Sequence, residues 1–190
     1  MPASQPRSPV RRTDAARNRD KIITVARAAF ADPGAEVSMA EISRRAGVGM
    51  ATLYRNFPGR RELLEALYSE EVDAICKAAE TPDGQTPGAR LVSWLSQLFV
   101  FFASKRHIAA ELLKHTDSSD PVFGGGRARV IAAGQPLLTA AQQAGEIRHD
   151  LGLEQVLDLI HAIATIDGDT AYIQPILQTA LDGLRPRTSS

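Results

Sequence analysis

Two glycines frame the start of GVGMATLYRNF, residues 47–57, and this stretch decides how the N-terminal part of the chain folds. Its only large apolar side chains are those of Leu53, Tyr54 and Phe57. A helix that is poor in apolar side chains cannot be covered by a core on all sides. We therefore expect a short helix at about 49–57 that is buried on one side and exposed on the other.

The residues just before this stretch predict a partner helix. Ser38 and Glu41 fit a capping box, in which the Ser38 hydroxyl caps the helix start and the Glu41 carboxylate reaches back to it. The partner helix ends at Gly47 after about two turns. Two short helices joined by a turn of three or four residues are typical of a helix-turn-helix, whose second helix lies in the DNA major groove. A plain helical hairpin with surface arginines is the alternative.

A helix that reads DNA needs small side chains where it approaches the bases. Met50, Ala51 and Thr52 can contact thymine methyl groups, and the Thr52 hydroxyl can bond a base edge or a phosphate. On the opposite side, Val48, Leu53 and Phe57 are expected to be buried. Phosphate contacts are expected from the aromatic and basic side chains that follow, which are Tyr54, Arg55, Arg60 and Arg61.

The longer stretch SMAEISRRAGVGMATLYRNFPGRRELLEAL, residues 38–67, resembles the DNA-binding module of the tetracycline-repressor (TetR) family. The resemblance is carried by Ala46-Gly47-Val48, Leu53-Tyr54, Phe57 and the basic pair Arg60 and Arg61. It implies an all-α fold of about nine helices, with a three-helix DNA-binding module and a C-terminal bundle. It also implies a homodimeric repressor on a palindromic double-stranded operator, released by a small, largely apolar effector.

One position departs from the family pattern. Gly49 stands where the family commonly has Ser or Thr, and glycine supplies no side-chain oxygen to cap the helix or touch a phosphate. We keep Gly49 among the expected DNA contacts, together with Ser38 and with Arg11 and Arg12, which lie in a basic N-terminal arm at residues 1–13.

The charge of the chain is divided by region, although the 190 residues sum to a net charge of zero. Residues 1–60 hold eleven Arg and Lys against five Asp and Glu, which gives +6, so residues 61–190 carry −6. A basic N-terminal third indicates a polyanionic partner, although a merely solvated tail is the alternative. We divide the chain into a flexible basic arm at 1–13, a helix-turn-helix domain at 14–60 and a helical ligand-binding and dimerisation domain at 61–190.

A helix at about 88–104 is apolar nearly all round and holds the single tryptophan. Its aromatic stripe is either core or ligand wall, and the family resemblance favours the wall. The residues expected to line an apolar cavity are Trp94, Leu98, Phe101, Phe102, His115 and Phe123.

The stretch HIAAELLKH, residues 107–115, offers His107, Glu111 and His115 on one helix face. The outer two lie about 12 Å apart along the axis, too far to bind one ion together. We therefore expect no metal site and no cofactor, and interpret these residues as a pocket wall or a solvated face. A His–Glu pair completed by a ligand from another chain is the alternative. FGGGR, residues 123–127, lacks a preceding strand and is expected to be a mobile loop.

Two apolar stripes near the C-terminus either complete the core or form the dimer interface. The family resemblance implies the interface, made by Val156, Leu157, Ile160, Ile163, Ile176, Leu177, Ala180 and Leu181. Pro175 falls on the last helix and is expected either in its first turn or at a kink.

Several classes of protein are disfavoured. The apolar run Leu98 to Ala103 is far shorter than the roughly 18 residues of a membrane helix. Cys76 is alone, so no intrachain disulfide forms and we expect a cytoplasmic protein. No Ser/His/Asp set, CxxC pair or HExxH motif indicates an enzyme. An all-α metal-binding or hydrolytic enzyme and a constitutive structural DNA binder are the alternatives to a regulator.

Overall fold

The computed structural model describes residues 9–30, 37–114 and 121–186, and the helices within them confirm the all-α class. These residues account for eight of the about nine helices expected. The helices are α1 (Pro9–Phe30), α2 (Met39–Ala46), α3 (Met50–Asn56), α4 (Arg60–Ala78), α5 (Pro87–Leu113), α6 (Pro121–Gln143), α7 (Leu153–Ala164) and α8 (Thr170–Asp182). Within the described ranges, no helix is both long and apolar enough to cross a membrane.

The chain divides into two compact units, and each unit consists of two separate stretches of sequence. One unit lies within Met1–Tyr68 and His107–His115, and the other within Ser69–Arg106 and Thr116–Ser190. The helices α4 and α5 therefore each contribute residues to both units. Compared with the expected boundary at residue 60, the first unit extends further along α4 and includes the end of α5.

The first unit has a core built from one face of each of its helices. In α1 the buried residues recur at spacings of three and four, which places them on one side of the helix. The short helices α2 and α3 each contribute few large side chains to this core. The end of α5 contributes further ones. The main contributors are Ile22, Ile23, Ala26, Phe30, Ile42, Leu53, Phe57, Leu63, Leu64, Leu67, Ile108 and Leu112.

The second unit is organised around Trp94 of α5, which is fully buried. Its indole N–H donates to the carbonyl oxygen of Ile75 in α4 at 3.1 Å. Gly134 of α6 lies against the ring, and a Cβ atom added there would overlap it. The absence of a side chain at Gly134 thus allows α5 and α6 to approach closely.

Three helix boundaries differ from the sequence-based expectations. The helix α1 begins at Pro9, so the described part of the expected arm, residues 9–13, is helical. The helix α5 continues to Leu113, beyond the expected end at 104. The expected mobile loop at 123–127 was wrong, because these residues lie inside α6.

Packing explains why three successive glycines remain helical at the start of α6. Glycine is a poor helix former, by roughly 1 kcal/mol per residue relative to alanine. Here Gly126 is buried, and the next residue, Arg127, pairs with Asp158 of α7 at 2.9 Å. Tertiary contacts of α6 therefore outweigh its low local propensity.

Candidate nucleic-acid interface

The turn between α2 and α3 is set by Gly47. This residue adopts the left-handed conformation, with φ of 65°, and its N–H donates to the Arg44 carbonyl oxygen at 3.2 Å. A side chain would be strained at this φ, so glycine is the residue that ends α2 at least cost.

Ser43 closes the same turn from inside. It is only 4% exposed, and its hydroxyl donates to the carbonyl oxygen of Val48 at 2.6 Å. The Val48 N–H in turn donates to the Ser43 carbonyl oxygen at 3.1 Å. Ser43 was not among the expected site residues. The available signal was a polar residue beside the buried Ile42, four residues before Gly47.

The capping box before α2 is half formed. The Ser38 hydroxyl accepts the Glu41 N–H at 3.1 Å, which confirms the predicted cap. The Glu41 carboxylate does not reach back, because it accepts hydrogen bonds from Arg44 at 2.7 and 2.9 Å and from Arg45 at 2.6 Å. These arginines, Arg44 foremost, lower the pKa of Glu41 to about 2.

The start of α3 confirms the loss of the capping oxygen at Gly49. The Gly49 carbonyl oxygen accepts the N–H groups of Thr52 and Leu53, while no side chain caps the helix. Its φ of −70° suits any residue, and a Cβ atom there would meet nothing within 4 Å. Glycine at this position is thus not required by the backbone or by packing.

The helix α3 is buried on one side and open on the other, as predicted. Leu53 and Phe57 are fully buried, whereas Val48 is only half buried because it lies in the turn. On the opposite side, Met50 is 39% exposed and Tyr54 is 46% exposed. Ala51 is exposed and Thr52 half exposed beside them.

Two arginines lie on the exposed side of this region. Arg55 donates to the Ala51 carbonyl oxygen at 3.1 Å and to the Thr52 hydroxyl at 3.0 Å, so it lies along α3. Arg61 donates to Glu65 at 2.6 Å and keeps 45% of its side chain exposed. The Arg61–Glu65 ion pair is exposed, and exposed ion pairs contribute little to stability.

Arg60 is placed differently from what was expected. Its guanidinium donates to the Val37 carbonyl oxygen, lies 4.8 Å from the centre of the Phe30 ring, and pairs with Glu111 of α5 at 3.1 Å. Its side chain is only 26% exposed. These contacts lie within the first unit and are not encoded in the local sequence, and they engage the guanidinium that was expected to contact a phosphate.

The expected arm contacts can be placed only in part. Arg11 and Arg12 lie in the first turns of α1, and only their backbone is described. Their assignment as DNA contacts stays a prediction. A neighbour along α1, Arg19, holds its guanidinium 4.6 Å above the Phe57 ring and so covers the buried end of α3.

The residues expected to line a ligand cavity do not form one wall. Trp94 and Leu98 are fully buried and fill the core. Phe101 and Phe102 are half exposed, and the Phe102 ring lies 5.0 Å from that of His161. Phe123 is half exposed on α6, and His115 lies outside the described residues.

The expected dimer residues mostly face the interior of the protomer. The periodic apolar stripe on each helix is the one that packs on the core of the same chain. Only Ile176 and Ala180 of the expected set are partly exposed. The buried ones are Val156, Leu157, Ile160, Ile163, Leu177 and Leu181.

A different apolar face of α7 and α8 is open. Leu159 is 41% exposed and Tyr172 is 61% exposed. Leu159 also lines an open groove of about 510 Å³, together with Ile176, Ala180 and Arg148. Pro175 lies in the second turn of α8, and the Thr179 hydroxyl donates to its carbonyl oxygen at 2.8 Å.

The possible metal ligands do not meet within the described part of the chain. There, no group of three or more His, Cys, Asp and Glu side chains is arranged to hold an ion. Of the face at 107–115, only Glu111 is described in full, and its carboxylate pairs with Arg60 and Lys114. These hydrogen bonds, that of Lys114 first, lower the pKa of Glu111.

The glycine turn, the short capped helices and the half-exposed second helix together define a helix-turn-helix DNA-binding protein. Two family models match the chain: bacterial regulatory proteins of the tetR family over residues 22–67, and the C-terminal domain of SbtR-like transcriptional regulators over residues 86–186. The chain belongs to the TetR family of transcriptional regulators, which are DNA-binding proteins and not enzymes.

Individual relatives agree with this assignment. A TetR transcriptional regulator from Streptomyces coelicolor has 33% sequence identity and a TM-score of 0.71, with 90% of this chain and 99% of that chain covered. The transcriptional repressor KstR of Rhodococcus jostii is 34% identical over 88 residues, 45% of this chain and 42% of the relative. The nucleoid occlusion factor SlmA of Marinobacter nauticus is 32% identical over 75 residues, 39% of this chain and 38% of the relative. The matches thus span about two fifths of these two curated relatives.

Proposed function

We propose that the chain is a ligand-responsive transcriptional repressor that binds a palindromic operator as a homodimer and is released by a small, largely apolar effector. The observation that carries this proposal is the exposed face of α3, held from behind by the buried Leu53 and Phe57. The repressor KstR among the relatives supports the direction of regulation. Acting on chromosomal DNA, the protein would work in the cytoplasm.

In this proposal the side chains of the exposed face divide the work of recognition. Met50, Ala51 and Thr52 read base edges in the major groove, where each base pair presents a distinct pattern. Tyr54 and Arg55 contact the phosphate backbone and set the position of the helix. Further contacts are assigned to Arg11, Arg12, Ser38, Gly49 and Arg61. Arg60 is left out because its partners lie inside the first unit.

The effector site is proposed at the aromatic residues of α5 that are not fully buried. Phe101 and Phe102 have ring centres 5.4 Å apart, and His161 of α7 stands beside Phe102. An apolar molecule would gain roughly 25 cal/mol for each Å² of apolar surface it covers there. Phe123 of α6 adds a further half-exposed ring.

The dimer is proposed to form through the open face of α7 and α8. Leu159, Tyr172, Ile176 and Ala180 present apolar surface that a second copy would cover. A two-fold interface of this kind is self-complementary, because each residue set meets its own copy. Two protomers would then place two α3 helices on successive major grooves.

Selection of bound duplexes from a random library, at a stated salt concentration, tests the proposal. We expect a palindrome with half-sites one helical turn apart or a multiple of it, and a dimer in analytical ultracentrifugation. Small apolar molecules should then lower the affinity for the selected duplex. If no compound changes that affinity, the protein is a constitutive DNA binder. If no palindrome emerges, the proposal that a homodimer binds a palindromic operator is wrong.

A further inference from the structure

Arg60 connects separate parts of the first unit from the first position of α4. Its guanidinium reaches the carbonyl oxygen of Val37, just before α2, and the ring of Phe30, at the end of α1. The remaining partner is the Glu111 carboxylate, with 3.1 Å between Arg60 Nη2 and Glu111 Oε2. About a quarter of each side chain is exposed, 26% and 25%, so this pair is more shielded from solvent than Arg61–Glu65 or Arg129–Asp73, which also involve α4.

Glu111 comes from outside the helix-turn-helix. It lies near the end of α5, within residues 86–186 that match the C-terminal family model, whereas the DNA-binding model covers residues 22–67. The pKa of Glu111 is lowered by its hydrogen bonds to Lys114 and Arg60, so the carboxylate is charged at neutral pH. A charge supplied by α5 thus holds the guanidinium that joins the ends of α1 and α2.

We propose that Glu111 is a positioning residue for sequence-selective DNA binding. By holding Arg60, Glu111 fixes two places against α4: the end of α1 at Phe30 and the residue before α2, Val37. It thereby sets the orientation of α3. The inference rests on the proposed function of α3 as the recognition helix. Base contacts require an accurate placement of this helix, whereas phosphate contacts tolerate small displacements because the attraction is long-ranged. Loss of Glu111 should therefore reduce selectivity more than general DNA affinity.

The test substitutes Glu111→Gln, which keeps the size of the side chain and removes its charge. The affinity of the full-length protein is measured for the selected duplex and for a random duplex of equal length, at several salt concentrations. We expect a loss of about fivefold or more on the selected duplex, the lower end of typical couplings between sites. Binding to the random duplex should change by less than about twofold, with the same salt slope, because no phosphate contact is lost.

Two variants serve as matched controls. Lys114→Gln removes the other partner of Glu111 and leaves the pair with Arg60 in place. Asp158→Asn breaks another long-range pair, that with Arg127 at 2.9 Å, in the second unit. Both should keep the ratio of selected to random affinity near that of the unchanged protein. Circular dichroism and thermal melting of all variants separate a change of selectivity from a loss of fold.

Each other result would overturn the inference. Equal losses on both duplexes would mean that Glu111 sets general affinity only. A gain of affinity with a steeper salt slope would mean that Glu111 withholds Arg60 from a phosphate. A lower melting temperature with unchanged selectivity would mean that the pair only stabilises the fold. If the unchanged protein selects no duplex at all, the proposed function fails as well. If the unchanged protein selects a duplex and the Glu111→Gln variant binds the selected and random duplexes with the same affinities, only this inference is refuted.

Discussion

The hydroxyl of Ser43 donates to the carbonyl oxygen of Val48 across the turn of the helix-turn-helix, with 2.6 Å between the two oxygens. Replacement Ser43→Ala would leave the Val48 carbonyl without this donor in a half-buried position. We expect a destabilisation of about 1–2 kcal/mol, as for a lost internal hydrogen bond. Thermal unfolding measures it. Ser96→Ala is the control, because the Ser96 hydroxyl bonds only within its own helix, to the Val92 carbonyl oxygen, and the change should cost less.

The two glycines of the turn should respond oppositely to the same substitution. Both have open space for a Cβ atom, but Gly47 has φ of 65° whereas Gly49 has φ of −70°. Gly47→Ser should destabilise the protein by about 1–2 kcal/mol, because a side chain is strained in the left-handed region.

Gly49→Ser should instead stabilise the protein, by about 0.5–1 kcal/mol, through a new cap and a less flexible unfolded chain. Denaturant titration of both variants measures the two changes in unfolding free energy. Losses of equal size would contradict the assigned difference in backbone conformation.

Gly134 should not tolerate even a methyl group. An added Cβ atom would overlap the Trp94 ring, and overpacking of a filled core costs about 1–3 kcal/mol. We expect Gly134→Ala to lower the melting temperature and to change the fluorescence of the single tryptophan. Gly124→Ala is the matched control in the same helix, since nothing lies near its Cβ position. It should raise stability by up to about 1 kcal/mol, and a loss there would mean that the first turn of α6 is not helical.

The exposed face of α3 should separate selectivity from affinity. Thr52→Ala should change which duplexes are preferred, because its hydroxyl is proposed to bond a base edge. Tyr54→Ala should weaken binding to all duplexes, with unchanged circular dichroism, since its side chain is 46% exposed. Competition binding with selected and random duplexes distinguishes these outcomes. If Thr52→Ala lowers the affinity equally for all duplexes, Thr52 contacts only the phosphate backbone of the DNA.

Leu159 provides the sharpest test of the dimer. Its side chain is 41% exposed, so Leu159→Lys should leave the protomer folded while placing two charges in the proposed interface. Sedimentation should then show a monomer with near-native helicity. Glu154→Lys, an exposed change on the same helix whose side chain is outside the groove, is the control. A stable Leu159→Lys dimer would move the interface to another surface.

The local features of the fold were predictable from the sequence, because they depend on nearby residues. The Gly47 turn, the Ser38 cap and the burial of Leu53 and Phe57 follow from spacing and residue type. The partner of Arg60 was not predictable, since Glu111 lies 51 residues away and nothing in the local pattern connects them. Long-range ion pairs carry no periodic signal.

Periodicity alone did not distinguish between core and surface on helices that have two apolar faces. On α7 and α8 the regular stripe marks the protomer core, and the more exposed face is marked only by isolated residues such as Leu159 and Tyr172. On α5 the family resemblance favoured a cavity wall that includes Trp94 and Leu98, although both side chains fill the core. A stripe shows that a helix face is buried, and it does not show what buries it.

The continuous helix α5 limits how this regulator can be re-engineered. Its 27 residues contribute to both compact units, and its last turns complete the core of the DNA-reading unit through Ile108 and Leu112. In a chimera that takes only residues 22–67 from a relative, the DNA-binding module of the relative would have to pack against Ile108 and Leu112 of this chain. Exchange of operator specificity between relatives therefore requires the end of α5 to travel with the module it completes.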